Sequence, residues 1–264
     1  MDARVKSTAC LALEGVGKTF GSGAGRTEAL GEIDLEVREG EFLAIVGPSG
    51  CGKSTLLQIA AGLALPTQGS VRFHGDEVAA PPPGIVYLFQ QYGRSLFPWR
   101  TVLDNVAFAI EHRPGMGRAQ ARASSRRYLD MVGLGEFADH YPAQLSGGMQ
   151  QRVTIARALA AEPRVLLMDE PFSSVDALTR LELHALVQDL WQQHGFTAVL
   201  VTHDVDEAVF LADRIAVLST RPSRVVRVLE TELPRPRQRL ETPQMPRYLD
   251  LRHDLLAMLI GEPA

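Results

Sequence analysis

Long apolar runs and cysteines are both scarce in this sequence. No stretch reaches the ~18 apolar residues that a helix needs to cross a bilayer. The two cysteines, Cys10 and Cys51, give no disulfide framework and fit a reducing compartment. Near the N-terminus, Arg4 and Lys6 precede an apolar stretch that Glu14 interrupts, so we expect no signal peptide. We therefore expect a protein that is neither secreted nor integral to a membrane.

Lysine is also scarce. The chain has three lysines, Lys6, Lys18 and Lys53, against 24 arginines, so the place of each lysine is informative. The 27 basic and 31 acidic residues leave a net charge of −4, which argues against a general nucleic-acid binder. With 264 residues, 45% of them hydrophobic, the chain can bury a core in one large domain or two small ones.

Four short apolar runs predict buried strands, at residues 42–46, 165–168, 197–201 and 215–218. They are nearly continuous rather than alternating, which is typical of a parallel sheet covered on both faces. A helical apolar stripe between them consists of Leu178, Leu181, Leu186, Leu190 and Trp191. It stops at Gly195, a plausible C-cap, and Asp204 with Glu207 has the spacing of a capping box. This alternation of strands and helices predicts an α/β fold.

Residues 97–161 interrupt the alternation. They contain helix candidates near 102–111, 120–132 and 149–161 and no strong strand, so we interpret them as a helical insertion in the α/β core. Near the N-terminus, glycine-rich residues 21–25 predict a hairpin turn. The chain becomes rich in arginine from residue 214 onward. For these arginines we expect a solvated face or a subunit contact rather than contact with anionic lipid.

A glycine-rich loop holds one of the three lysines. The pattern G-x-x-x-x-G-K-[ST] is matched by Gly47, Pro48, Ser49, Gly50, Cys51, Gly52, Lys53 and Ser54, with Thr55 next. Because the loop joins a predicted strand to a helix, its N–H groups are expected to bind nucleotide phosphates. Lys53 would reach the β- and γ-phosphates, and the Ser54 hydroxyl would bind Mg²⁺. The alternative is a turn with an exposed lysine, while Cys51 reads as a small residue filling the turn or as a redox thiol.

Two acids follow the apolar run at 165–168. Asp169 and Glu170 would lie at the carboxyl end of a strand, where ligands of α/β sheets bind. Asp169 is placed to hold Mg²⁺ directly or through water, and Glu170 to accept a proton from an attacking water. The alternative is a solubilising pair of charges. Beside a phosphate loop, the pair predicts a P-loop NTPase.

A second Ser/Gly turn opens a helix at residues 145–152, which read L-S-G-G-M-Q-Q-R. This segment resembles the signature of the ATP-binding subunits of ABC transporters, and the resemblance covers essentially the whole chain. It implies a head-to-tail dimer of two copies. In that dimer the signature of one copy, through Ser146, Gly147, Gly148 and Gln150, closes over the ATP held by the other. Met149 stands where many members have glutamine, and we expect little effect.

Four further positions match the family pattern. Phe20 resembles the aromatic residue that stacks on adenine, although by itself it reads as a strand core residue. Gln90, with Gln91 as the weaker candidate, resembles the glutamine that senses Mg²⁺ and the attacking water. Asp176 lies in a segment, residues 174–176, that resembles the loop that crosses to the partner copy. His203 resembles the switch histidine that contacts the γ-phosphate, whereas a lone histidine at a strand end is usually structural.

The resemblance also implies the fold and the activity. The fold is an α/β P-loop NTPase core of the RecA type with an N-terminal β-rich portion and an inserted α-helical subdomain. We expect the ATP-binding domain at residues 9–240 and a C-terminal helical extension at 241–264. Since no catalytic residue type is missing, we expect an active ATPase that uses ATP and Mg²⁺, with Glu170, Gln90 and His203 as its catalytic residues.

Residues 90–106 and the Arg-Pro-rich tail are similar to the nitrate/sulfonate/taurine/bicarbonate importer group. This implies an ATP-hydrolysing subunit, peripheral on the cytoplasmic face of the membrane, that energises uptake of a nitrate-, sulfonate- or taurine-like anion. Separate permease subunits would form the pathway, and a solute-binding protein would act indirectly. Phe97, Pro98 and Trp99 are expected to present a docking cleft beside Gln90, unless Trp99 fills the core of the insertion.

Two other classes of function are weaker alternatives. A soluble ABC ATPase acting on DNA or in translation fits poorly with the net charge of −4, the single cassette and the lack of a long coiled-coil insertion. A P-loop kinase for small molecules would not explain residues 145–150.

Overall fold

The structure, a computed structural model, describes residues 9–261, apart from the side chains of Ala24, Tyr92 and Arg94. Arg4 and Lys6, which entered the expectation about a signal peptide, lie outside the described residues. No helix within residues 9–261 is both long and apolar enough to cross a membrane. The strands are β1 (Ala9–Phe20), β2 (Thr27–Arg38), β3 (Phe42–Val46), β4 (Gln68–Phe73), β5 (Asp76–Glu77), β6 (Ile85–Leu88), β7 (Val165–Asp169), β8 (Thr197–Val201), β9 (Arg214–Leu218) and β10 (Val225–Glu230). The α-helices are α1 (Lys53–Ala60), α2 (Tyr92–Ser95), α3 (Val102–Ala107), α4 (Arg118–Met131), α5 (Gly147–Ala160), α6 (Ala177–His194), α7 (Val205–Leu211) and α8 (Pro246–Ile260).

The chain divides into two compact units, and the first comprises residues 9–83 and 195–261. One of its sheets is antiparallel with the order β2-β1-β4-β5, and β1 and β2 form the hairpin predicted from residues 21–25. Its other strands follow the order β10-β9-β3-β8, in which β3 pairs in parallel with both β8 and β9. All residues of β3, β8 and β9 are buried, so the predicted parallel arrangement of these apolar runs is confirmed.

The second unit comprises residues 84–194 and contains the parallel strands β6 and β7 with helices α2 to α6. The predicted insertion is helical: residues 97–161, all of them described, contain no strand. The helix predicted at 102–111 ends earlier, at Ala107. α5 begins two residues before the predicted start because Ser146 caps it at that point.

The prediction of which apolar stripe α6 buries is partly wrong. Leu178 and Leu181 are exposed, at 76% and 44%, whereas Leu183, Val187 and Leu190 are buried. These three residues have the i, i+4, i+7 spacing of a second stripe, and the helix buries that face instead. The predicted end of the helix is confirmed, since α6 stops at His194 and the next residue is a left-handed glycine.

The capping box predicted at the start of α7 is present in a modified form, in which Thr202 links the Glu207 side chain to the Asp204 N–H. Asp204 is the N-cap and accepts the N–H groups of Asp206 and Glu207 at 2.9 and 3.2 Å. The Glu207 carboxylate accepts the Thr202 hydroxyl at 2.6 Å, and the Thr202 oxygen accepts the Asp204 N–H at 3.0 Å. Hydrogen bonds made by both Thr202 and Asp204 therefore connect the turn at residues 202–204 to the first turn of α7.

Part of the arginine-rich tail has an internal role, which corrects the expectation of a solvated face or a subunit contact. Arg214 is paired with Glu41 at 3.1 Å, and Arg235 with Asp213 at 2.8 Å. The Arg237 side chain is only 1% exposed. Long basic side chains thus hold the ends of strands and helices together here, a role that composition does not reveal.

Candidate functional site

The glycine-rich loop connects β3 to α1 in the first unit. Gly50 and Gly52 have φ angles of +73° and +110°, conformations that residues with a side chain adopt only under strain. A Cβ at Gly52 would also lie 2.9 Å from the Leu30 side chain. The turn therefore needs glycine at these two places, and it directs the N-terminus of α1 towards the space that the loop encloses.

Lys53 points into this loop. Its side-chain nitrogen donates to the carbonyl oxygens of Gly47 at 2.8 Å and Pro48 at 3.2 Å, and the residue is 5% exposed. The alternative of a turn with an exposed lysine is therefore wrong. Cys51 is also buried, and its Sγ would lie 3.0 Å from a Cβ at Gly47, which fits a small residue filling the turn.

A residue after β9 forms hydrogen bonds that stabilise the glycine-rich loop, and the sequence did not reveal it. The buried Ser223 hydroxyl contacts the carbonyl oxygens of Cys51 and Ala29, the latter at 3.0 Å. A cavity of about 320 Å³ beside it is lined by Pro48, Ser49, Gly50, Cys51, Thr220 and Arg221. Since Ser223 and Cys51 are 172 positions apart, no local sequence signal could have paired them.

Phe20 and His203 also belong to the first unit. Phe20 ends β1 and is 48% exposed, with the Lys18 ammonium 5.3 Å from the centre of its ring. Its interpretation as a strand core residue is therefore wrong, and its ring is accessible for stacking. His203 is exposed and follows β8 after the buried Thr202.

In the second unit, two parallel strands bring three predicted residues to one edge. Asp169 is the last residue of β7 and is 5% exposed, and Glu170 follows it. Gln90 lies just beyond the end of β6, and its amide nitrogen donates to Glu170 Oε2 at 2.9 Å. Tyr87 on β6, which the sequence analysis missed, donates its hydroxyl to Asp169 Oδ2 at 2.9 Å. Both carboxylates are thus oriented by side chains on β6 or shortly after it.

The backbone at Glu170 is strained. Its φ is +44°, a left-handed conformation that is uncommon for residues other than glycine. The turn is held by Ser173, whose N–H and hydroxyl both donate to the Glu170 carbonyl, at 3.3 and 2.9 Å. Strain of this kind concentrates at functional sites, because the surrounding structure has to maintain it. The two acids therefore have different environments. Asp169 is buried at the end of β7, whereas Glu170 follows the strand and is partly exposed.

The signature segment opens α5 as predicted. Ser146 is the N-cap, and its hydroxyl oxygen accepts the Met149 N–H at 3.3 Å. A Cβ at Gly148 would run into the Thr179 side chain, so glycine permits the close approach of α5 and α6. The Gln150 amide donates to carbonyl oxygens of the preceding loop, those of Pro142 and Leu145, and therefore stabilises that loop within its own chain.

Asp176 precedes α6 and is exposed. Its carboxylate accepts the Thr179 N–H at 3.1 Å, in the manner of a helix cap. Hydrogen bonds from the side chain and backbone of Thr179 lower the pKa of this carboxyl group, so it is charged at neutral pH. The exposed Leu178 lies beside it.

A groove of about 620 Å³ lies next to Gln90 in the second unit. It is lined by Val86, Tyr87, Leu88, Phe89, Gln91, Ser95, Phe108, Ala109, Thr154, Arg157, Ala158 and Ala161. Phe97 connects this groove to Trp99, since its ring centre lies 4.7 Å from that of Phe108 and 5.5 Å from that of Trp99. Trp99 is 72% exposed, so the alternative that it fills the core of the insertion is wrong.

Comparisons with known proteins agree with this geometry. Residues 30–173 match a family model described as ABC transporter. The chain is 46% identical over 252 residues to the bicarbonate transport ATP-binding protein CmpC of Synechococcus elongatus, with 94% of this chain but only 38% of that protein's length covered. It is 41% identical over 259 residues to the nitrate import ATP-binding protein NrtD of the same organism, with 97% and 94% covered.

A solved structure is also similar over most of its length. It is a dimeric, post-hydrolysis state of the ATP-binding cassette MJ0796 bound to ADP and phosphate. The TM-score is 0.73 and the identity 36%, with 83% of this chain and 98% of that one covered. The mixed α/β architecture is therefore that of a P-loop NTPase, and the chain belongs to the ABC transporter family of ATP-binding proteins.

Proposed function

We propose that this chain is the ATP-hydrolysing subunit of an ABC import system for a small anion. The observation that carries the proposal is the edge of β6 and β7, where Gln90 is bonded to Glu170 and Tyr87 to Asp169. A general base and a metal ligand held in this way are what hydrolysis of a phosphoanhydride requires. The names of CmpC and NrtD support bicarbonate or nitrate as the class of solute.

In this proposal the loop around Lys53 binds the triphosphate, and Phe20 stacks on the adenine. Ser54, Asp169 and Gln90 would hold Mg²⁺, and their hydroxyl, carboxylate and amide oxygens are the hard donors that this ion prefers. Within residues 9–261, no group of three or more His, Cys, Asp or Glu side chains could hold a metal ion. Phosphate oxygens and water would therefore complete the coordination. When bound, Mg²⁺ neutralises charge on the phosphate oxygens.

Glu170 is the proposed general base, and Gln90 orients its carboxylate towards the attacking water. His203 contacts the γ-phosphate. Because Glu170 is only partly buried, its carboxylate is accessible to a water molecule whose proton it would accept.

A second copy of the chain would complete each site. Ser146 and the first N–H groups of α5 form an exposed helix N-terminus that can bind an anion. Asp176 and the exposed Leu178 and Leu181 form a surface beside it that a second copy could cover. The dimeric cassette MJ0796 supports this assembly.

The membrane partner would be a permease that docks a short helix into the groove beside Gln90. The groove is mostly apolar but contains Arg157 and Gln91, as expected for a site that takes an amphipathic segment. The docking surface differs in one respect from the cleft expected around residues 97–99: Phe89 and Phe108 line the groove, whereas Trp99 extends from it through Phe97. Attachment to a permease would place the chain peripherally on the cytoplasmic face of the membrane.

Replacing Trp99 tests this docking surface. We expect Trp99→Ala to lower permease-stimulated ATPase activity and transport by at least ~10-fold, because exposed tryptophans are typical anchors of interfaces. Basal ATPase activity and the melting temperature should not change, since the side chain is 72% exposed. Leu240→Ala is the matched control, because Leu240 is equally exposed, at 75%, and lies in the other unit. Full coupling of Trp99→Ala in proteoliposomes would refute the docking role.

Reconstitution tests the proposed function as a whole. The chain is combined in proteoliposomes with the permease and the solute-binding protein encoded beside it, and uptake of labelled bicarbonate, nitrate and taurine is measured. We expect uptake of one of these anions that requires ATP. If no permease gene adjoins this one and the chain stimulates no uptake, the alternative of an ABC ATPase outside transport gains support.

A further inference from the structure

The C-terminal segment of the chain holds both ends of α7, the seven-residue helix that follows His203. At the C-terminal end, the Arg237 guanidinium donates to three backbone carbonyls, those of Val209, Phe210 and Ala212, at 3.2, 2.9 and 2.8 Å. Burial lowers the pKa of Arg237 to about 9, so it remains charged at neutral pH. A cation at this position hydrogen-bonds the last carbonyls of the helix and opposes the negative end of the helix dipole.

At the N-terminal end, α8 reaches the first turn of α7 through Asp206. The Tyr248 hydroxyl donates to Asp206 Oδ1 at 3.0 Å, and Arg252 Nε lies 3.0 Å from the same oxygen. Tyr248 is 3% exposed, and burial together with the Asp206 carboxylate raises its pKa, so the phenol keeps the proton that it donates. Asp206 is therefore fixed by two side chains of a single helix.

From Asp206, hydrogen bonds continue to both neighbours of His203. The Asp206 N–H donates to the Asp204 carboxylate at 2.9 Å, and the Asp204 N–H donates to the Thr202 hydroxyl oxygen at 3.0 Å. Thr202 and Asp204 are the residues on either side of His203. A helix of seven residues has little stability of its own, so its position is set by such tertiary contacts.

We infer that Tyr248 and Arg252 of α8 are positioning residues that fix the backbone turn carrying His203. This inference rests on the proposed function, in which His203 contacts the γ-phosphate. α8 also buries Leu251 and Leu255, and apolar packing alone would explain a helix at this place. The polar contacts to Asp206 are not needed for that packing, so they can be removed separately.

The test is Tyr248→Phe, which keeps the ring and removes the hydroxyl. We expect kcat for ATP hydrolysis to fall about 3- to 10-fold, the usual range for a residue that acts through another. The KM for MgATP should stay within about twofold, because the phosphate loop binds the nucleotide. Tyr128→Phe is the matched control: this tyrosine is 4% exposed and its hydroxyl also meets a carboxylate, that of Glu162, in the other unit. The control should keep its kcat.

Equal kcat values for Tyr248→Phe and Tyr128→Phe would overturn the inference. If Tyr248→Phe does not fold, Arg252→Gln has the same expected loss of kcat and removes only a half-exposed side chain, so a normal kcat in that variant overturns the inference as well. His203→Ala distinguishes the proposed role of His203 from the positioning role of Tyr248. Normal hydrolysis by His203→Ala would refute the proposed role of His203, whereas an inactive His203→Ala with a fully active Tyr248→Phe would refute only the positioning role.

Discussion

Glu170→Gln should bind ATP normally and hydrolyse it at least ~10²-fold more slowly, the scale expected for loss of a general base. Glutamine has the shape of glutamate and can still meet Gln90, which contacts Glu170 at 2.9 Å. It cannot take the proton of the attacking water. ATP should therefore persist in the site, and the variant should accumulate as an ATP-bound dimer.

Single-turnover experiments measure the rate of hydrolysis, and size-exclusion chromatography with ATP and Mg²⁺ measures the fraction of dimer. Glu162→Gln is the matched control, because Glu162 is a glutamate of the same unit that also has a positive φ, +55°, but lies before β7 rather than after it. The control should hydrolyse ATP at the wild-type rate. If Glu170→Gln does so too, another residue is the base.

Lys53→Ala should weaken ATP binding by at least ~10²-fold, since it removes charge-assisted hydrogen bonds to two phosphates in a buried loop. The ammonium is already in place, bonded to the carbonyl oxygens of Gly47 and Pro48 at 2.8 and 3.2 Å. Little conformational entropy would therefore be lost when it binds a phosphate.

Titration with a fluorescent ATP analogue measures the affinity, and a thermal melt checks that the loop still folds. Arg72→Ala is the control for loss of one positive charge. Its guanidinium is paired with Glu14 at 3.1 Å rather than with the loop, so we expect the affinity to change by less than about threefold. An unchanged affinity in Lys53→Ala would refute the phosphate-loop assignment.

The features that the sequence predicted well are those specified by neighbouring residues. The turn at residues 47–54 depends on glycines at two left-handed positions and on the start of α1, all within a few residues. The buried strands at 42–46 and 197–201 have short, nearly continuous apolar runs, which are typical of strands covered on both faces. β2 was overlooked although Ile33, Leu35 and Val37 alternate with polar residues, a period-two pattern that could have revealed it.

The features that the sequence could not predict depend on residues far apart in the chain. Tyr87 and Asp169 are 82 positions apart, and Arg237 reaches carbonyls 25 to 28 positions away. Which face α6 buries was also undetermined, because Leu178 and Leu183 belong to competing stripes of similar hydrophobicity. Only the packed structure selects between them.

Complementation between two inactive variants tests the central claim that each ATP site is completed by a second copy. Lys53→Ala damages the phosphate loop, and Ser146→Arg damages the signature, so each variant alone should be inactive. In a mixed dimer, both lesions fall in one site and the other site is intact. Equimolar mixing of the two proteins should therefore restore ATPase activity to roughly a quarter of the wild-type rate, because half of randomly paired dimers are mixed and each has one intact site. If no mixing ratio restores activity, or if Ser146→Arg alone hydrolyses ATP normally, the proposed dimer is contradicted.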